Sequence, residues 1–430
     1  MPHRVDLFAE HTPQEPICTA SKQGPEKTIR HEAPTRRDYV KYGGAVVGGG
    51  LLAGCTGDSG SDGSGDNGGD GSSDSTTTEG TDTPEDTSYS VTISPIGTVE
   101  FEEVPNRVLA YNNHYVDMAV AYGHGEAIEA MGDNFYTGYY EQLPGIEFDP
   151  STRVTVGHDD KEIIYQVDPD LILHDPTWYY VYSEYFDFGE DDVEEITENV
   201  APYFGNRFSR AHTDTGIEDY EYYTAWELYA KVAQVFRETE RLQKLKQVRD
   251  ELVAHVESNL PPEEERPTVG LVVMNDWAEF SPYKIDNEGF GVSHYRPLGV
   301  RDVFAESDRT YESDGGTYDL EAMLELDPDV LIHNFGTGGF DERYQSMLEL
   351  KDDSVGSELS AVQNDRLYGG GDSMQGPIWN LFQIEMAAKQ IYPEQFGAFP
   401  TYNDDGTYDI PEDEQLFDRQ RVADIINGDI

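Results

Sequence analysis

Lys161-Glu162-Ile163-Ile164-Tyr165-Gln166-Val167-Asp168-Pro169-Asp170-Leu171-Ile172-Leu173-His174 is answered later in the chain by Leu320-Glu321-Ala322-Met323-Leu324-Glu325-Leu326-Asp327-Pro328-Asp329-Val330-Leu331-Ile332-His333. Every matched position is offset by 159 residues, from 161 against 320 to 174 against 333. Each copy places a glutamate ahead of a short amphipathic helix. An Asp-Pro-Asp then stops the helix, because proline lacks the N–H and its ring clashes with the preceding turn. A short apolar strand follows and closes on histidine. One helix–strand unit used twice predicts two similar α/β halves.

Reading outward supports that division. Pro105 to Tyr111 reads as a turn feeding a buried strand, followed by a helix over 115–122 that ends at Gly123. A third strand is expected near Val200 to Phe204. On the far side, Thr268 to Met274 opens a second strand-rich region. Between them, 224–259 has neither Gly nor Pro, and Trp226, Tyr229, Val232, Ala233, Phe236 and Leu242 fall at helical spacing. A single helix of that length would span on the order of 50 Å, and Pro261, Pro262 and Pro267 end it. The expected fold is α/β, two Rossmann-like lobes with mainly parallel sheets bridged by a single long α-helix. The lobes are placed at 91–223 and 260–430, and the helix at 224–259.

Ahead of this body the chain carries export signals. Thr35-Arg36-Arg37-Asp38-Tyr39-Val40-Lys41 fits a twin-arginine pattern, and Leu52-Ala53-Gly54-Cys55 fits a lipobox. The glycine-rich apolar run between them, Tyr42 to Leu52, is too short for a hydrocarbon core that needs roughly 20 residues, but suits a signal segment. Residues 1–54 are therefore expected to be a leader, with Cys55 lipidated and anchored to the cell membrane. From 55 to 90 the chain is almost wholly Gly, Ser, Asp, Thr and Glu, the composition of a disordered tether. Its span as a coil is roughly 30–35 Å. The two cysteines of the chain are Cys18 and Cys55, so the body has none for a disulfide, zinc site or thiol nucleophile.

Charge narrows the function classes. Asp plus Glu number 85 against 29 Lys plus Arg, a formal net charge of −56. Nucleic-acid binding through a basic surface is excluded. The acidic residues are spread through the body, like the surfaces of proteins from salt-loving, haloarchaeon-like sources, so most carboxylates serve solvation.

The body resembles the substrate-binding proteins of ABC importers for ferric siderophores and cobalamin, the family with a helical backbone between its lobes. Carrying the resemblance are Pro105-Asn106-Arg107-Val108-Leu109, Val156-Gly157 with Asp168-Pro169-Asp170-Leu171-Ile172, and Tyr318-Asp319-Leu320-Glu321 through Asp329-Val330-Leu331-Ile332. Leu359-Ser360-Ala361-Val362-Gln363-Asn364-Asp365-Arg366-Leu367-Tyr368 and the segment from Gly376-Pro377-Ile378-Trp379-Asn380 to Tyr392-Pro393 extend it. The resemblance implies capture of a metal chelate between the lobes, a ferric hydroxamate-type siderophore first, with cobalamin, another corrinoid or haem as alternatives. It implies delivery to a permease dimer with its ATPase subunits, by a monomer without cofactor or enzymatic activity. It also implies that Glu162 and Glu321, one per lobe, dock onto the permease.

Ligands of open α/β sheets bind beyond the carboxyl ends of the strands, and a chelate needs aromatic faces and cationic donors. The candidates at such positions are Tyr111, His114, His174, Trp178 and Tyr179 in the first lobe, and Trp277, Arg296, His333 and Trp379 in the second. A bare metal-ion receptor is disfavoured because the histidines lack ligand spacing. A surface hydrolase, the alternative from a different class, finds no Gly-x-Ser-x-Gly, no His-Glu-x-x-His and no phosphate-binding glycine loop.

Overall fold

In the structure, a computed structural model, residues 88–157, 160–184, 186–275, 277–310 and 316–429 are described. The twin-arginine segment, Cys55 and the tether lie outside the described residues. Strands β1 (Tyr89–Ile93) and β2 (Gly97–Phe101) form an antiparallel hairpin. The first sheet contains β3 (Val108–Ala110), β4 (Ile128–Met131), β5 (Val154–Thr155) and β6 (Leu171–Leu173), all parallel, in the order β5-β4-β3-β6. Parallel neighbours need a crossover, supplied by α1 (Asn113–Ala121) between β3 and β4 and by α2 (Lys161–Val167) before β6. Helices α3 (Thr177–Val181), α4 (Glu190–Asn199), α5 (Ala225–Val235) and α6 (Thr239–Asn259) follow.

The second sheet contains β7 (Thr268–Met274), β8 (Phe280–Tyr283), β9 (Arg301–Asp302), β10 (Val330–His333) and β11 (Leu367–Gly369). Its order is β11-β10-β7-β8, with β9 also on β7, and β8 runs antiparallel to β7. Helices α7 (Leu320–Leu326), α8 (Glu342–Leu348) and α9 (Ser360–Gln363) flank β10, and α10 (Pro377–Ile391), α11 (Pro393–Phe396) and α12 (Arg419–Asn427) close the described chain. The fold is thus α/β with parallel sheets in two lobes.

The repeated sequence unit is one structural device used twice. Asp160 and Asp319 cap α2 and α7, accepting from Ile163 N at 3.1 Å and Ala322 N at 2.9 Å. Asp168 and Asp327 end those helices in the left-handed region, at φ 49° and 41°. The second aspartate then ties the new strand to its neighbour. Asp170 Oδ2 accepts from Arg107 N at 3.0 Å, beside β3, and Asp329 Oδ2 accepts from Thr268 N at 2.7 Å, opening β7.

The central strands β3, β6, β7 and β10 are buried on both faces, so they read as continuous apolar runs. Successive side chains still alternate. Leu109 and Ile172 face an outer cluster with Ile164 and Ile196, whereas Val108, Ala110, Leu171 and Leu173 face the inner core. In the second lobe Val272 and Leu331 point outward, and Val269, Leu271, Val330 and Ile332 point inward. The two inner faces share one core with α1, α6 and α10, so the lobes are welded along it.

A single long helix bridges the lobes, and only its expected bounds of 224–259 are corrected. Residues 224–259 form two helices, broken at Phe236-Arg237-Glu238. Arg237 adopts φ 58°, Glu238 N donates to Ala233 O at 2.8 Å, and Arg237 N donates to Gln234 O at 3.2 Å. This is a Schellman termination with arginine where glycine usually stands. The Arg237 guanidinium lies 4.2 Å from the centre of the Tyr89 ring, which fixes the residue in that position. The bridge into the second lobe is α6, with 21 residues and a length of about 31 Å.

Candidate ligand-binding site

Residues 200–210 build the site. Ile172 N donates to Pro202 O and Phe204 N to Ile172 O, so the chain runs beside β6. Gly205 then passes the end of that strand so closely that a Cβ there would lie 2.5 Å from His174 C. Only glycine fits this crossing. The next turn is tied down by buried Asp175, whose Oδ2 accepts from Arg207 N at 2.9 Å and Tyr220 Oη at 2.6 Å. Its Oδ1 accepts from Thr177 N at 3.0 Å and Thr177 Oγ1 at 2.6 Å. Burial pushes the Asp175 carboxyl up from its ordinary pKa, while these donors pull it back.

This framework carries two arginines. The Arg207 guanidinium lies 3.6 Å from the centre of the Trp178 ring, a stacked cation–π contact. Arg210 Nη1 donates to Ser373 Oγ of the second lobe at 3.0 Å. With Trp178, Tyr182, Phe208, Ala211 and Thr213 they line a narrow hollow whose cavity volume is only ≈ 10 Å³. Tyr182 and Phe208 stack nearly parallel at 6.1 Å. The pocket therefore joins aromatic faces to guanidinium donors.

His114 lies beside this pocket, fully buried in the first turn of α1 and 5.5 Å from the Phe290 ring of the second lobe. Burial holds its pKa well below the ordinary value, and Arg207 and Arg210 add to the effect. It is a neutral imidazole, and neither ring nitrogen has a hydrogen-bond partner among the described residues. Further contacts cross the lobes here. Asn113 Nδ2 donates to Asp372 Oδ2 at 3.3 Å, Asn287 Nδ2 to Ala211 O at 3.2 Å, and Tyr229 Oη to Gln375 O at 2.7 Å.

The expected residues divide into groups. Tyr111, His174, Trp178 and Tyr179 come together: His174 lies 4.7 Å from the Tyr111 ring and 5.2 Å from the Tyr179 ring. Trp178 opens onto the pocket, while the other three lie behind it, buried. His333 ends β10, buried, with its pKa held down by burial. Trp277 is 49 % exposed in the turn after β7. Arg296 turns away from the pocket, and its Nη2 donates to Asn287 O at 2.6 Å and to Gly289 O. Trp379 lies inside the core on α10, packed on Phe135 and Tyr139. All of α10 is buried, so this position is interior, not a strand-end loop. Glu162 and Glu321 occupy equivalent exposed positions in the first turns of α2 and α7.

Arg207 and Arg210 were missed from sequence. They follow the strand expected near Val200 to Phe204, which is corrected to a single bridge between Ile172 and Tyr203, and the strand-end rule applied there would have found them in Asn206-Arg207-Phe208-Ser209-Arg210. Among the described residues, no cluster of three His, Cys, Asp or Glu could hold a metal ion, and no helix is long and apolar enough to cross a membrane.

Known proteins share this architecture. A periplasmic binding protein from Veillonella parvula superposes with a TM-score of 0.51 at 15 % identity, over 71 % of this chain and 91 % of its own. The iron uptake ABC transporter substrate-binding protein PiuA from Streptococcus pneumoniae gives 0.51 at 17 %, over 70 % and 98 %. The petrobactin-binding protein YclQ from Bacillus subtilis gives 0.50 at 16 %, over 69 % and 95 %. At these identities the likeness is one of fold. No curated protein matches the chain in sequence. The family model for periplasmic binding proteins matches residues 108–373, spanning both sheets and the pocket between α3 and Arg210. This chain belongs to the periplasmic binding protein family.

Proposed function

We propose that this protein is an extracytoplasmic receptor, tethered to the membrane through Cys55, that captures an anionic metal chelate and delivers it intact to the permease of an ABC importer. A ferric siderophore is the chelate of choice. The observation that carries this reading is the pairing of Arg207 and Arg210 with Trp178, Tyr182 and Phe208 in one hollow, within a chain of net charge −56. Guanidinium groups match anionic oxygens in a fixed planar geometry, and the aromatic faces suit an organic shell.

The same pair refines the ligand. Three hydroxamates neutralise iron(III), leaving a chelate with no net charge, whereas three catecholates leave a trianion. Two arginines favour the anion over the hydroxamate type that sequence resemblance implies. The names of two fold relatives, one an iron uptake protein and one petrobactin-binding, agree with an iron chelate.

Calorimetric titration of the full chain with iron(III) tris-catecholate, ferrichrome, haem and a corrinoid tests the proposal. Tight binding of the tris-catecholate is expected, weakened at least about tenfold, or ~1.4 kcal/mol, by Arg207→Ala or Arg210→Ala. Wild-type affinity in both variants would remove the arginines from the site.

A further inference from the structure

We infer that the second-lobe segment 286–291 is a latch over the Arg207–Arg210 pocket, and that Arg296 and Gly289 are the positioning residues that hold it closed. This inference rests on the pocket being the chelate site.

The latch presses on the pocket's own wall. Arg210 and Ala211 line the hollow. Asn287 Nδ2 donates to Ala211 O at 3.2 Å, and Glu288 Oε2 lies 3.5 Å from His212 Nδ1. Gly289 comes closest of all. A Cβ on it would stand 2.2 Å from Arg210 O and 2.6 Å from Ala211 Cα. Its φ of −61° is open to any residue, so what demands glycine is space between the lobes. Gly291 repeats the constraint more mildly, with a Cβ 3.0 Å from Ser373 Cβ and 3.1 Å from Arg210 Cγ.

Arg296 explains why the segment keeps this shape. Its Nη2 bonds the carbonyls of Asn287 and Gly289, and Asn287 Oδ1 accepts from Gly289 N at 2.7 Å. The arginine that sequence assigned to the ligand is instead the clasp of the loop.

Size makes the latch necessary. Ligand clefts that bury a small organic molecule usually hold about 300–1,000 Å³, and this hollow holds ≈ 10 Å³. A tris-chelate of iron does not enter until 286–291 parts from 210–212. The same parting separates Ser373 from Arg210, which turns that guanidinium from a lobe-to-lobe bond to the arriving anion. The latch thereby couples opening of the pocket to presentation of its charge.

Hydrogen exchange on the unliganded full chain, paired with stopped-flow release of iron(III) tris-catecholate, tests the latch in Arg296→Ala and Gly289→Val. In both variants amides of 286–291 and of 206–213 should exchange at least about tenfold faster. Release of the chelate should accelerate about fivefold or more, with the thermal midpoint of Arg296→Ala near wild type. Unchanged exchange at 206–213 in both variants would overturn the latch. So would slow exchange in Arg296→Ala combined with lost affinity, because Arg296 would then touch the chelate itself. Should Gly289→Val fail to fold, Gly289→Ala with Arg296→Ala carries the same comparison. A wild-type chain that ignores the tris-catecholate would defeat the chelate reading, while exchange still decides the latch.

Discussion

Asp117 ties the two lobes together. From α1 in the first lobe, its Oδ2 accepts from Ile378 N at 3.0 Å and Trp379 N at 3.1 Å, the opening amides of α10. Its Oδ1 accepts from Tyr140 Oη at 2.6 Å. A carboxylate at a helix N-terminus satisfies donors that lack partners within the helix and meets the positive end of its dipole. Burial nonetheless pushes the Asp117 pKa up to about 7, against the pull of Tyr140, Trp379 and Ile378. The folded value lies above the unfolded value near 3.8. Its contribution to stability is therefore complete below about pH 4 and is lost as pH rises through about 7. Asp117→Ala should cost about 1–3 kcal/mol by stranding buried amides, read from denaturant midpoints. Asp117→Asn should keep most of the stability and flatten the decline between pH 4 and 7. An unchanged slope in that variant would show that another group sets the pH dependence.

At the scale of elements, the Asp-Pro-Asp unit was legible because each of its residues has one local job. The first aspartate turns the chain out of the helix, the proline prevents continuation, and the second aspartate caps the neighbouring strand. Asp329→Ala should lose about 1 kcal/mol, because Asp329 Oδ2 accepts from both Thr268 N at 2.7 Å and Thr268 Oγ1 at 2.8 Å. Asp170→Ala should lose a similar amount through Arg107 and Asn106. Urea midpoints unmoved in both variants would reduce the echo to a sequence pattern. The break between α5 and α6 was not legible. Helix ends are marked in sequence by glycine or proline, and here Arg237 takes the left-handed position while stacking on Tyr89, a partner 148 positions away along the chain. The bonds of Arg296 to its loop were not legible for a similar reason. A scarce cation after a strand suggests a ligand, but its acceptors are carbonyls of a loop whose fold back onto it no local pattern announces. Trp379 was misplaced because α10 is buried on every face, and apolar periodicity cannot separate such a helix from a loop-proximal one.

Across the whole molecule, two lobes share a continuous inner core and meet again at the pocket. The duplicated helices also present Glu162 and Glu321 in equivalent exposed first turns, one per lobe. We propose these as the contacts with a permease dimer. Exposed ion pairs contribute about 0–1 kcal/mol each, so their role would be registry more than affinity. Glu162→Ala with Glu321→Ala should leave chelate affinity unchanged and lower chelate-stimulated ATPase activity of the importer severalfold. Full stimulation by the double variant would remove them from the docking face. The function we propose requires that this molecule hold a chelate and give it up unaltered. Equilibrium titration of the full chain with iron(III) tris-catecholate, followed by release and spectroscopic recovery of the complex, tests it most directly. Saturable binding at one chelate per chain and return of the same complex are expected. No saturable binding, or recovery of a chemically changed chelate, would contradict it.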